Sequence, residues 1–239
     1  MIEAIPLLDS GQCAGAVARL EDIRAQWIDR SVTKCGTFFT VGRASYLDVC
    51  PQKADPKTDY YDRLAQSNAE LVAAFSDLYE MLRRMLEERL GGAASYAQSL
   101  ALPGFHLFFG RGIMGAGSSG RHFDIQYERL TLPEGRIVDD PISFTLALEL
   151  PAGGSGLDIW NVTAGDYDAA FAAGRILTIE DLVARKTSAH FGYRAGTLYL
   201  QRGLFLHRIG SSGPIAEEDR RITLQGHGLN IDGRWRLYW

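Results

Sequence analysis

The chain has 239 residues, 46% of them hydrophobic and 23% charged, with a net charge of −4. That length can bury a sizeable core in one domain. The acidic balance argues against nucleic acid or an anionic membrane as the main partner, and no apolar run approaches the ~20 residues that span a bilayer.

The opening stretch MIEAIPLLDSGQ has neither the basic nor the long apolar region of a secretory signal. After Asp9-Ser10, a plausible N-cap, Ala16, Leu20, Ile23 and Trp27 recur at helical spacing. TFFTVGRASYLDV reads as β-rich and CPQKADPKTD as a loop. A second helix is expected from about Ser67 to Leu90, with Leu71, Phe75, Leu78, Leu82 and Met85 as its apolar stripe and Gly91-Gly92 as its stop. Cys13, Cys35 and Cys50 have the spacing of neither a disulfide framework nor a zinc site, so they are expected to be reduced thiols of a cytoplasmic protein.

From about Leu102 the texture changes to short β-rich runs between Gly, Pro and Asp turns: FHLFF, RHFDIQYERL, ISFTLALEL, GLDIWNV, GTLYLQRG, LFLHRI, RRITLQGHGL and RWRLYW. This pattern predicts a β-sandwich or barrel. One insert, DYDAAFAAGRILTIEDLVARK, reads as one or two short helices, and GRGIMGAGSSG lacks the form of a phosphate-binding loop. One domain is expected over residues 1–239, its first hundred residues helical and residues 101–239 forming the β-rich core.

His122 and Asp124 are two apart, so on a strand they share a face while Phe123 turns away. Imidazole with carboxylate suits divalent iron, zinc or manganese, although two polar residues on a wet sheet face would look the same. His207, in GTLYLQRGLFLHRIG, is the candidate third arm. It completes a two-histidine, one-carboxylate set of the kind that leaves open positions on non-haem Fe(II). Further on, Arg221, Thr223, Gln225 and His227 share one strand face and Ile222 and Leu224 the other. An arginine fork with a threonine hydroxyl suits a terminal carboxylate. Arg220 adjoins as an alternative, but strand alternation places it with Ile222.

His122-Phe123-Asp124, His207 and Arg221-x-Thr223, in this order, resemble the Fe(II)/2-oxoglutarate-dependent dioxygenases. The tail from His207 to RLYW is similar to that of the small bacterial hydroxylases and carrier-independent aliphatic halogenases of that superfamily. The resemblance covers roughly residues 101–239. It implies an α+β, mainly β fold: a double-stranded β-helix (jelly roll, cupin-like) with N-terminal helices packed on the sheet. It further implies Fe(II) on His122, Asp124 and His207, 2-oxoglutarate on Arg221 and Thr223, and O2 as oxidant. Succinate and carbon dioxide would be the coproducts. Halogenating relatives carry Gly or Ala where this chain has Asp124, so hydroxylation of a small molecule is the expected outcome.

Gln126, Gln225, His227 and His106 are candidate substrate contacts, the bland alternative being that they pair with one another, with water or with backbone. Arg43 is a weaker candidate at the pocket mouth, and His190 is expected to be structural. Two other functions fit the residues less fully. One is a cupin-like metalloenzyme without 2-oxoglutarate; the other is a non-catalytic β-sandwich binding module.

Overall fold

The computed structural model describes residues 2–31, 37–49, 58–114, 120–138, 141–176, 178–184 and 186–239. The chain runs through β1 (Ile2–Pro6), α1 (Ser10–Asp22), β2 (Ile28–Asp29), β3 (Thr37–Val41), α2 (Ser45–Asp48), α3 (Thr58–Leu90), β4 (Ala94–Tyr96) and β5 (Gly104–Phe109). It continues through β6 (Ile142–Glu149), β7 (Ser155–Thr163), α4 (Ala164–Ala172), α5 (Ile179–Val183) and β8 (Ala189–Gly192). The last strands are β9 (Thr197–Arg202), β10 (Phe205–Ser211), β11 (Arg220–Ile231) and β12 (Arg234–Tyr238).

The strands form a large sheet in the order β1-β9-β6-β11-β5-β3-β2, with β12 and β4 joined beside β11, and a small sheet β10-β7-β8. All the pairings are antiparallel except β12 with β4. The long strand β11 lies between β5 and β6 and is buried on both faces. Ile222 and Leu224 enter the main apolar core with α1 and α3, while Arg221 and Thr223 lie on the other face, fully buried.

Asp9 caps α1 through a reciprocal box: the Gln12 amide donates to Asp9 Oδ1 at 2.8 Å, and the Asp9 amide donates to Gln12 Oε1 at 2.9 Å. The helix then lays Cys13, Ala16 and Leu20 into the core. In α3 the stripe Leu71, Phe75, Leu78 and Leu82 is buried as its spacing predicts. The helix begins at Thr58, nine residues before the expected start at Ser67. It leaves helical geometry at Phe75, whose ring packs 4.7 Å from that of Phe105. No described helix is long and apolar enough to cross a membrane.

Two expectations need correction. The first hundred residues are not simply helical, since β1, β2, β3 and β4 all belong to the large sheet. β1 pairs with β9 and β3 with β5, so this portion supplies part of the core sheet. Nor is RHFDIQYERL a strand. It makes one isolated bridge at His122, then turns into a 3-10 helix at Gln126–Arg129. Local bonds from the amides of Ile125 to Phe123 and of Glu128 to Ile125 take the place of a ladder. The remaining β-rich runs of the second half form strands, and α4 and α5 fill the predicted helical insert. Cys13 is a buried free thiol, while Cys35, Cys50 and most of the predicted 50–59 loop lie outside the described residues.

β5 begins where the Trp239 ring closes over the backbone. Trp239 is 1% exposed, its amide donates to the Ala101 carbonyl at 2.8 Å, and its carbonyl accepts from the Tyr60 hydroxyl at 2.8 Å. A Cβ on Gly104 would overlap that ring and come within 2.7 Å of the Val41 carbonyl oxygen. Gly104→Ala should therefore cost about 1–3 kcal/mol, the usual penalty of overpacking. Chemical denaturation reads this directly, and unchanged stability would contradict the tight closure of Trp239 over β5.

Candidate active site

His122 and His207 are 85 positions apart and face each other through a reciprocal backbone bridge. The His122 amide donates to the His207 carbonyl at 3.0 Å, and the His207 amide donates back at 3.1 Å. This double bond brings the two rings to a centroid separation of 4.4 Å. Each ring is then aimed by a carbonyl two residues earlier: Nδ1 of His122 donates to Gly120 and Nδ1 of His207 to Phe205, both at 2.8 Å. A carbonyl oxygen only accepts, so Nδ1 carries a proton in both rings, and in the neutral form of each ring the lone pair is on Nε2.

Both Nε2 atoms face Asp124. Its Oδ1 lies 3.8 Å from Nε2 of His122, and its Oδ2 lies 3.6 Å from Nε2 of His207. One ligand atom from each residue falls within 4.8 Å of the others, so a single cation can be shared by the three. Burial opposes charge on Asp124, but His207, His227 and His122, with a hydrogen bond from Ser143, outweigh it and hold the carboxyl well below the usual range. Burial pushes His207 down against the pull of Asp124. Metal binding needs the carboxylate and imidazoles free of the Nε2 proton, so a cation entering here would displace any proton those nitrogens hold.

Arg221 and Thr223 lie on β11, both fully buried. Nε of Arg221 donates to Ser155 Oγ at 3.1 Å, yet its two terminal nitrogens have no partner, and neither has the Thr223 hydroxyl. The guanidinium carbon lies 5.8 Å from the ring centroids of both Phe108 and Tyr193. These rings line a cavity of about 840 Å³, whose wall includes neither Arg221 nor Thr223 themselves. A buried charge stripped of its counter-ion costs about 3–5 kcal/mol, and an unpaired buried hydroxyl about 1–3 kcal/mol. A carboxylate ligand would relieve both, which fits an oxo-acid anchored there. Arg220 points the other way, paired with Glu149 at 2.6 Å and Glu21 at 2.8 Å.

The same cavity takes in His122, Asp124, His207, Gln126, Gln225, His227 and His106. Gln126 reaches it from its 3-10 turn, not from a strand, and its amide nitrogen donates to Asp124 Oδ1 at 3.3 Å. Burial lowers His106 and His227 from the ordinary imidazole value, and Nδ1 of each is without a partner. Tyr46 on α2 closes on His106, its hydroxyl 2.6 Å from Nε2. Arg43 lines a separate cavity of about 120 Å³ and lies 3.6 Å from Asp48. His190 bridges Asp158 and Ser212, both at 2.9 Å, on the small sheet.

Sequence reasoning missed Tyr46, Ser143, Tyr193 and Arg129, all lining the main cavity. Tyr46 lies in a four-residue helix within a stretch that reads as strand, and Ser143 alternates with apolar neighbours on β6 as any sheet residue would. Only the tertiary fold makes them neighbours of the histidines.

No family model matches the chain, and no curated protein matches it. Solved structures do. An N-substituted L-amino acid dioxygenase in complex with alpha-ketoglutarate, from Burkholderia ambifaria AMMD, matches with a TM-score of 0.59 at 11% identity, over 100% of this chain and 86% of that one. A prolyl-4-hydroxylase from Pseudomonas putida gives 0.40 at 12% identity, over 97% and 93%. The non-heme alpha-ketoglutarate-dependent epimerase SnoN of nogalamycin biosynthesis gives 0.44 at 13%, over 95% and 76%. The chain thus has the fold of the Burkholderia dioxygenase.

Proposed function

We propose that the chain is a cytoplasmic non-haem Fe(II)/2-oxoglutarate-dependent dioxygenase that hydroxylates an unactivated C–H bond of a small polar molecule. The supporting observation is the pairing of the convergent His122-Asp124-His207 group with a buried arginine, Arg221, whose terminal nitrogens have no counter-ion. A metalloenzyme without an oxo-acid cosubstrate has no need of the second feature, and a binding module has no need of either. The two-sheet architecture is compatible with the double-stranded β-helix that the resemblance implies.

Iron with 2-oxoglutarate and O2 supplies the oxidation of a C–H bond to an alcohol, with succinate and carbon dioxide as coproducts. The protein's part is binding, orientation and exclusion of water. His122, Asp124 and His207 hold the metal, the Gly120 and Phe205 carbonyls keeping both imidazoles in the ligating tautomer. Arg221 and Thr223 anchor the distal carboxylate of 2-oxoglutarate, with Phe108 and Tyr193 shielding that charge from solvent. Gln126, Gln225, His227 and His106 orient the substrate, since few polar groups in a largely apolar cavity set a ligand's pose. With a carboxylate at Asp124, where the halogenating members of the resembled family carry Gly or Ala, three side chains would hold the metal, which would favour oxygen transfer to the substrate.

Replacing His122 or His207 with Ala should abolish iron retention while leaving the melting curve near that of wild type. Metal analysis beside a thermal melt checks this, and unchanged iron stoichiometry in both variants would sink the assignment.

Arg221→Lys keeps the charge and loses the fork, so 2-oxoglutarate should bind the iron-loaded protein more weakly by about 1.5–3 kcal/mol. Arg220→Lys, on the opposite face, should change that isotherm little. Equal effects would mean that Arg221 does not anchor the cosubstrate. Gln225→Ala and His227→Ala should weaken substrate binding and leave the 2-oxoglutarate isotherm intact. If the isotherm moved in both, these side chains would belong to the cosubstrate's site instead.

A further inference from the structure

Among the described residues, the main cavity is lined by four histidines but by only two other charged side chains, Asp124 and Arg129. Asp124 is committed to the two imidazoles. Arg129 ends the 3-10 turn that begins at Gln126, and its exposed side chain has no hydrogen bond or ion pair among the described residues. The proposed metal and cosubstrate chemistry does not use it.

Unspent hydrogen-bonding capacity faces the same space. Nδ1 of His106, Nδ1 of His227 and Oε1 of Gln126 are buried without partners, and all three residues line the cavity. The surface around His106 is aromatic. The Phe38 and Phe108 rings stack at 4.2 Å with 2° between their planes, and the Tyr46 and Trp239 rings lie 5.8 and 5.0 Å from the imidazole. At about 840 Å³ the cavity is of a size that holds a drug-sized ligand, so it has room for a substantial body beside a five-carbon cosubstrate.

These features select a substrate class. A cationic group would meet Arg129 and no free carboxylate. An anion would meet one guanidinium fork, which matches a carboxylate in shape and charge. We propose that the substrate is a carboxylate bearing an aromatic or bulky apolar body and an internal hydrogen-bonding group such as an amide. Arg129 binds the carboxylate, the aromatic wall takes the body, and the imidazoles and Gln126 read the internal group. The reaction performed on this molecule rests on the dioxygenase reading; its recognition by Arg129 does not.

The test uses zinc-loaded protein with excess 2-oxoglutarate, so that ligands bind without turnover. The probes are N-acetyl-L-phenylalanine, N-acetyl-L-leucine and 3-phenylpropionate, each beside its methyl ester, with binding followed by calorimetry. At least one acid should bind ten-fold or more tightly than its ester. Arg129→Gln should erase that preference without shifting the melting temperature, and Arg129→Lys should restore part of it. The proposal is overturned if no acid binds, if esters match acids, or if Arg129→Gln keeps the preference. It is equally overturned if the preference disappears in Arg221→Lys and survives in Arg129→Gln, since the acids would then occupy the cosubstrate's place. Failure of 2-oxoglutarate itself to bind would count against the proposed function, while the comparison of acid with ester would still read Arg129.

Discussion

Two reciprocal backbone hydrogen bonds between His122 and His207 set the geometry on which the site depends. They join an irregular segment to the third residue of β10, and β10 is itself held along β7. The bridge sets the phase at which His122 and Asp124 approach His207, and the segment is further held by Arg121 over the Trp160 ring and by Phe123 packed against the cluster of Trp160, Val162 and Leu206. Asp124 follows two residues after His122 and lies between both Nε2 atoms. The carbonyls of Gly120 and Phe205 complete the arrangement by settling which nitrogen carries the proton in the neutral form of each ring. The bridge therefore orders position, and the carbonyls order protonation.

A second constraint comes from β11, the strand enclosed by neighbours on both edges. Its core-facing side supplies Ile222 and Leu224, which stabilise the fold by apolar burial. Its other side spends stability, because the terminal nitrogens of Arg221 and the hydroxyl of Thr223 are buried without partners. One strand thus anchors the sheet and carries a local deficit that an anionic ligand would repair. Pairing of Arg220 with Glu149 and Glu21 shows the contrast: the neighbouring arginine, on the opposite face, is already neutralised.

Much of this was legible in the sequence where a short-range rule applies. The period of two along β11 separated Arg221 from Arg220, and the helical period located the buried stripe of α3. It also held an unread signal, since Tyr60 and Leu64 extend that stripe back towards Thr58 and both are buried. The strand expected at His122 was wrong, yet His122 and Asp124 still converge, because a single bridge followed by a tight turn also brings residues two apart together. Contributions that depend on the tertiary path were not legible. Tyr46 meets His106 across 60 residues, and β1 reaches β9 from the far end of the chain. Arg129 becomes distinctive only when every other charge on the cavity wall is known to be engaged.

The central claim is that one cavity binds a divalent metal and an oxo-acid together. Anaerobic addition of Fe(II) and then 2-oxoglutarate to the wild-type protein tests it most directly, through the weak visible charge-transfer absorption of an iron-bound 2-oxo acid. The account predicts that this band forms only when both are present, saturates at one equivalent of iron, and is lost in His207→Ala. A protein that binds iron stoichiometrically but shows no band at saturating 2-oxoglutarate would contradict it.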